Sequence, residues 1–182
     1  DIDNASWDID LLNAIPLGGD RNDRNGASVL MKSGLIRAEL ISSAATPANL
    51  RFCVFLWKNS YDNLSPSETE LFDMTDSGGT AISPITNVSK NWANRYNCRT
   101  LKDFTLSMGA REKDDTNDSN AMSSPLTKQF TLRFPINYKT VWGRNAGGSS
   151  MQQGRILFCY ANAHGTSTVQ IRYSSTIYYE DN

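Results

Sequence analysis

The chain reads as an all-β protein, an antiparallel two-sheet sandwich, and three observations point there. Apolar residues recur with period two in most regular segments, two segments are apolar on both parities, and the clearest helix signal is short and sits inside a long connection. The segments are long and irregularly spaced, with three long connections. An up-and-down barrel would show regular short hairpins, so the pattern fits a Greek-key sandwich or jelly roll. At 182 residues the chain makes one domain, able to bury roughly 70% of its unfolded surface. No internal repeat divides it.

Taken in order, Ser6 to Asn13 alternates Trp7, Ile9 and Leu11 against Asp8 and Asp10 and stops before Pro16, a half-buried strand. Gly18-Gly19 and the polar run to Gly26 form a loop, in which Asn25-Gly26 tolerates positive φ. Arg21 to Ser43 then holds the longest strand-like run. Val29 and Met31 share one parity, whereas beyond Gly34 the apolar set moves to Ile36, Ala38 and Leu40, with Arg37 and Glu39 opposite. A change of parity across a glycine predicts a bulge at Gly34, with Val29 and Met31 packing in a different part of the core. A run of about 15 residues exceeds the usual strand of roughly 5–6, so it spans a large sheet or bends between two. Leu50 to Lys58 carries Leu50, Phe52, Val54 and Leu56 on one parity and Cys53, Phe55 and Trp57 on the other. Such a strand is covered on both faces, the second by another layer, a long loop or another subunit.

Ser65-Pro66-Ser67-Glu68 predicts a helix capped by Ser65, with Pro66 first and Glu68 completing a capping box, running to about Met74. Asp76 to Pro84 is loop chemistry, and Asn87 to Asn97 reads as an irregular loop in preference to a helix. Thr100 to Met108 is a strand with Phe104, Leu106 and Met108 on one face. Gly109 to Pro125 is charged and nearly free of apolar residues, an exposed loop. Gln129 to Ile136 is a strand, Tyr138 to Trp142 a short further one, and Gly143 to Gly154 a flexible loop. Arg155 to Ala161 is apolar on both faces, and after the His164-Gly165 turn Thr168 to Tyr179 closes the chain as a strand.

The chemistry is bounded by what the chain carries. With 18 Lys+Arg against 19 Asp+Glu, it lacks the basic bias of a protein whose main task is gripping nucleic acid by its phosphates. Cys53, Cys98 and Cys159 are odd in number and widely spaced, which reads as reduced core residues. No apolar run approaches the ~20 residues of a membrane span. The single histidine, His164, rules out a centre with two or three His ligands, and a nucleophile-His site would have to be built on a turn. There is no nucleophile elbow, phosphate loop or C-x-x-C pair. Asp8 with Asp10, and Asp114 with Asp115, read as solvated surface or at best calcium-type oxygen ligands. The expectation is a protein that is not an enzyme and takes no cofactor. Arg21, Arg24, Lys32 and Arg37 cluster in sequence as candidate phosphate contacts, though Asp20, Asp23 and Glu39 interleave them. Trp57 reads as core or subunit contact, and Trp92 and Trp142 as loop residues able to anchor a neighbouring subunit or stack on a sugar.

Ile15, Gly18 or Gly19, Arg24 and Gly26 match an I-x-x-G-x-x-x-x-x-R-x-G turn that leads into a long strand. RFCVFLWKN at Arg51 to Asn59, RTLKDFTLS at Arg99 to Ser107 and VQIRYSSTIYYED ending at Asp181 follow in the same order. In this the chain resembles the single-jelly-roll coats of circular single-stranded DNA viruses and of the satellite tobacco necrosis virus type, over most of residues 15 to 181. The resemblance implies an eight-stranded antiparallel jelly roll with one short helix in a loop. It implies a homo-oligomer of about 60 copies, an icosahedral shell of the smallest class enclosing a genome, single-stranded DNA in preference to RNA. It places the protein in a virion assembled inside the host cell. It also implies an Arg/Lys-rich arm ahead of residue 1, where this chain opens Asp1, Ile2, Asp3. The competing reading is a jelly-roll carbohydrate-binding module using Trp92 or Trp142.

Overall fold

Period-two patterning becomes strand pairing in two four-stranded antiparallel sheets. The structure is a computed structural model, and it describes residues 2, 6–15, 24, 26–42, 47–58, 66–109, 125–142, 151–163 and 169–181. In chain order the strands and helix are β1 (Asp8–Leu11), β2 (Ser28–Ser42), β3 (Ala48–Trp57), α1 (Glu68–Leu71), β4 (Phe72–Asp73), β5 (Ser89–Lys90), β6 (Cys98–Met108), β7 (Leu126–Trp142), β8 (Met151–Gln153), β9 (Arg155–Asn162) and β10 (Val169–Asp181). One sheet runs β1-β9-β3-β6 and the other β10-β2-β7-β8, with β4 and β5 forming a separate small pair. The pairings nest: β3 pairs with β6, β2 with β7 outside them, and β1 with β9 outside both. β9 and β10 return beside β3 and β2.

The inter-sheet core takes one parity of β3, namely Leu50, Phe52, Val54 and Leu56. These pack against Met31, Ile36 and Leu40 of β2, Phe134 and Ile136 of β7 and Phe158 of β9. Phe52 is its aromatic hub, with ring centroids 5.3 Å from Phe104, 5.0 Å from Phe130 and 6.0 Å from Phe158. The other parity, Cys53, Phe55 and Trp57, joins Leu157 and Cys159 of β9 beneath residues 66–97, which contribute Leu71, Phe72, Ile85 and Val88. Trp7 stacks on Phe72 at 4.0 Å. The double-faced strand is therefore real, and its second cover is the long connection. Burying each large apolar side chain contributes about 1.5–3 kcal/mol, which is why a stretch with so little regular structure lies flat on the sheet. The three cysteines are free and buried, as expected.

Several boundaries depart from the sequence reading. The capping box forms two residues later: Glu70 accepts from the Ser67 backbone N–H at 2.7 Å, and Ser67 is the cap. The helix ends at Leu71 rather than Met74 because Phe72 turns extended and pairs with Lys90. The two expected strands before and after Asn137 are one, β7, passing through Asn137 at φ 45°. Met151–Gln153 is strand, and Gly154, at φ 79°, is a fixed corner between the sheets. A β-carbon there would lie 2.7 Å from Thr140 Oγ1, and the Gly154 carbonyl accepts from the Asn13 side chain at 2.8 Å. Residues 110–124 and His164 lie outside the described residues.

The break in β2 falls at Lys32, which has no direct partner on β7 or β10, and not at Gly34. It carries the inward parity from Val29 and Met31 to Ile36, Ala38 and Leu40, but all five pack into one core. Gly34 itself pairs regularly with Phe134 and Ile177. It is glycine for another reason: a β-carbon there would land on the Phe134 ring and 3.1 Å from Ile177 Cδ1. Gly34→Ala is therefore expected to cost about 1–3 kcal/mol through overpacking, seen as a lower urea midpoint at constant slope. An unchanged midpoint would mean the ring has free space to move into.

Candidate functional site

The turn that launches β2 is a staple. Arg24 is only 1% exposed, donates to the Gly26 carbonyl, and lays its guanidinium 4.7 Å from the centroid of the Trp142 ring. The Trp142 backbone N–H donates to Ala27 O at 2.8 Å, so the turn is tied to the end of β7. Two expectations are corrected here. Arg24 cannot reach a phosphate from the surface, because its charge is spent inside the turn over an aromatic face. Trp142 ends a strand rather than occupying a loop and is 2% exposed, so neither a sugar nor a neighbouring subunit can stack on its ring. Trp57 is likewise buried, in the layer beneath residues 66–97, which makes it core and not a subunit contact.

A second cluster holds that layer down. Arg51, on the same parity of β3 as Cys53, donates to Asp103 of β6 through Nε at 2.9 Å and Nη2 at 2.6 Å. Its Nη1 reaches the Thr86 and Val88 carbonyls at 3.0 and 2.6 Å. Cys53 Sγ donates to Asp103 Oδ1 at 3.4 Å. Burial pushes the Asp103 carboxyl up, but the hydrogen bonds and charge of Arg51 outweigh it and hold the carboxyl below its ordinary value. Burial pushes the Cys53 thiol up, and the Asp103 charge adds to this; Cys98 is pushed up to about 11, mainly by burial. Thiols in that range stay protonated and are not nucleophiles.

A third cluster joins the sheets at one side. The Asp10 carboxylate accepts from the Tyr160 hydroxyl of β9 at 3.0 Å and the Tyr173 hydroxyl of β10 at 2.7 Å. Burial, reinforced by Asp10, pushes both phenols up and keeps them as donors. The carboxylate read as solvated surface is thus an acceptor between layers. Among the described residues no group of three or more His, Cys, Asp or Glu is placed to hold a metal ion, and Asp114 and Asp115 lie outside them.

The remaining candidates sit on the surface. Arg37 is exposed in the middle of the outer face of the β10-β2-β7 sheet, near Arg133 and Arg172. Lys32, at the β2 irregularity, pairs with Glu180 at 2.9 Å. Arg21 lies outside the described residues. Trp92 begins a 3-10 turn, Trp92–Asn94, and is 69% exposed, with Tyr96 nearby and Arg95 stacked 4.6 Å from the Tyr96 ring centroid. The sequence reading passed over Arg51, Arg133 and Arg172. Arg133 and Arg172 stand at polar positions of alternating strands, and Arg51 is a charged residue in the double-faced strand β3, signals present in the sequence, but only strand register brings them to their partners. No protein-family model and no curated protein matches the chain.

Because the folded Asp103 carboxyl is depressed, its contribution is present above the ordinary value of about 3.9 and is lost as pH falls through the folded value. Asp103→Asn should destabilise the protein at neutral pH by no more than about 1 kcal/mol, since the pair is partly screened by solvent. The difference from the parent protein should narrow as pH falls below about 4 and close once pH has passed the depressed folded value. A gap in unfolding midpoint that does not narrow at all on acidification below about pH 4 would show that the Arg51 clasp acts without the charge of Asp103.

Proposed function

We propose that this chain is a capsid subunit, a single jelly roll that assembles with copies of itself into a small icosahedral shell around a nucleic-acid genome. The observation that carries the reading is the nesting of strand pairs. β3 with β6, β2 with β7 and β1 with β9 are successive rungs of one antiparallel ribbon, distributed over two sheets. A ribbon wound in this way is the plan of a jelly roll. Ile2 extends the series, its N–H donating to Val169 O at the start of β10 at 2.8 Å.

Two further features support the shell. Ile15, Arg24 and Gly26, which match the coat-protein turn, are functional in a structural sense: Ile15 is buried and Arg24 closes onto Gly26 and Trp142. Among the described residues the sheets also end on β6 and β10, of 11 and 13 residues, with Ile2 meeting β10 at Val169. Edges of that length are ones a monomeric protein usually shortens or covers, and they offer backbone groups to neighbouring copies. The exposure of Trp92 favours a second reading, a carbohydrate-binding module.

Particle size decides between the two. The full chain is expected to form closed particles, far larger than the 20.2 kDa monomer, in light scattering and negative-stain microscopy. A monodisperse monomer at every salt and pH tried, with saturable sugar binding abolished by Trp92→Ala, would replace the capsid reading by the carbohydrate one.

A further inference from the structure

We infer that the outer face of the β10-β2-β7 sheet binds a single-stranded polynucleotide, with phosphates on Arg172, Arg37 and Arg133 and a base on Tyr178. The inference rests on the reading of the chain as a shell protein that encloses a genome. Strand register supplies the geometry. Arg172 stands opposite Glu39, Arg37 lies two residues along β2, and Leu35, two further, stands opposite Arg133. The three arginines therefore fall on one diagonal across three strands, with neighbouring side chains about 7–8 Å apart. That is comparable to the separation of successive phosphates in an extended strand.

The face is also electrostatically unfinished. Of its acidic residues, Glu180 is engaged by Lys32 at 2.9 Å, and Glu39 accepts from Gln129 Nε2 at 3.3 Å. Among the described residues no carboxylate forms an ion pair with Arg37, Arg133 or Arg172, and all three are exposed. Guanidinium groups in this state offer paired donors to phosphate oxygens. Two shallow grooves share Arg37: one adds Arg133, Pro135 and Tyr178, the other Arg172, Gln129 and Thr131. Tyr178 is 52% exposed, a ring on which an unpaired base can stack, whereas a base inside a duplex could not reach it.

The test is fluorescence anisotropy of labelled oligothymidylate and oligouridylate titrated with the full chain over a range of salt. The phosphates and a stacking ring serve both, so both are expected to bind. Replacing Arg37, Arg133 and Arg172 together by Gln should weaken binding about tenfold or more. It should also flatten the slope of log affinity against log salt by about 2, since each lost single-strand contact removes roughly 0.7. The triple Lys variant should keep the slope, which separates charge from fold, and Tyr178→Ala should weaken binding without altering it. A control triple, Arg95→Gln, Lys102→Gln and Lys128→Gln, removes equal charge from other exposed positions and should bind as the parent does. Parent-like affinity and slope in the Arg-to-Gln triple, an equal loss in the control, or displacement by polyglutamate of matched charge would each overturn the inference. Light scattering on the same samples keeps the two readings apart. Intact particles with oligonucleotide binding unaffected by the Arg-to-Gln triple would discard this surface and leave the shell standing. Binding lost in the triple variant of a chain that never assembles would uphold the surface and discard the shell.

Discussion

β3 and β9 carry apolar side chains on both faces, and most of the structure is arranged to cover them. One face is met by the opposite sheet through Phe52 and its ring neighbours. The other needs a second layer, and the chain provides one from residues 66–97, a stretch whose longest helix is the four residues of α1. So little regular structure leaves backbone carbonyls without ladder partners, and Arg51 of β3 supplies donors to two of them, Thr86 O and Val88 O. The strand that creates the demand for a cover thus also carries the side chain that clasps it. Asp103, on the neighbouring strand, balances the guanidinium charge at a site partly removed from water.

The other sheet has the opposite fate. β2, β7 and β10 alternate on either side of the irregularity at Lys32, so one face enters the core and the other carries exposed charges. Among the described residues the sandwich is therefore asymmetric, layered by a connection on one side and exposing Arg37, Arg133, Arg172 and Tyr178 on the other. For a shell subunit this distinction is useful: two unlike broad faces allow one to meet the contents while the other is elaborated by loops. The nesting of strand pairs, the long outer strands β6 and β10 and the exposed arginines of the second sheet belong together in that reading, whereas a binding module would require only the exposed ring of Trp92.

How much was legible depended on whether a feature is local. The all-β class, the double-faced strands at Leu50 to Lys58 and Arg155 to Ala161, the buried cysteines and the short helix in a long connection all follow from alternation and capping chemistry along a few residues. The same reasoning erred where a neighbour decides. Arg24 looks like any charged turn residue until Trp142, over a hundred positions away, comes to lie beneath its guanidinium. Asp10 looks solvated until Tyr160 and Tyr173 arrive from two different sheets. Gly34 signalled a bulge in its own strand, yet it answers to the Phe134 ring on the next, while the irregularity lies at Lys32.

The candidate surface divides in the same way. That Arg37, Arg133 and Arg172 point away from the core is written in the period-two pattern of their own strands. That they form one diagonal is not, because it depends on the pairing of Glu39 with Arg172 and of Leu35 with Arg133. Within alternating strands such as β7 and β10, the sequence by itself determined which parity faces water and which faces the core, since that follows from the pleat of each strand. Only the tertiary structure decided which exposed charges become neighbours, because register is set by how two hydrophobic faces and their glycines fit together across strands far apart in the chain.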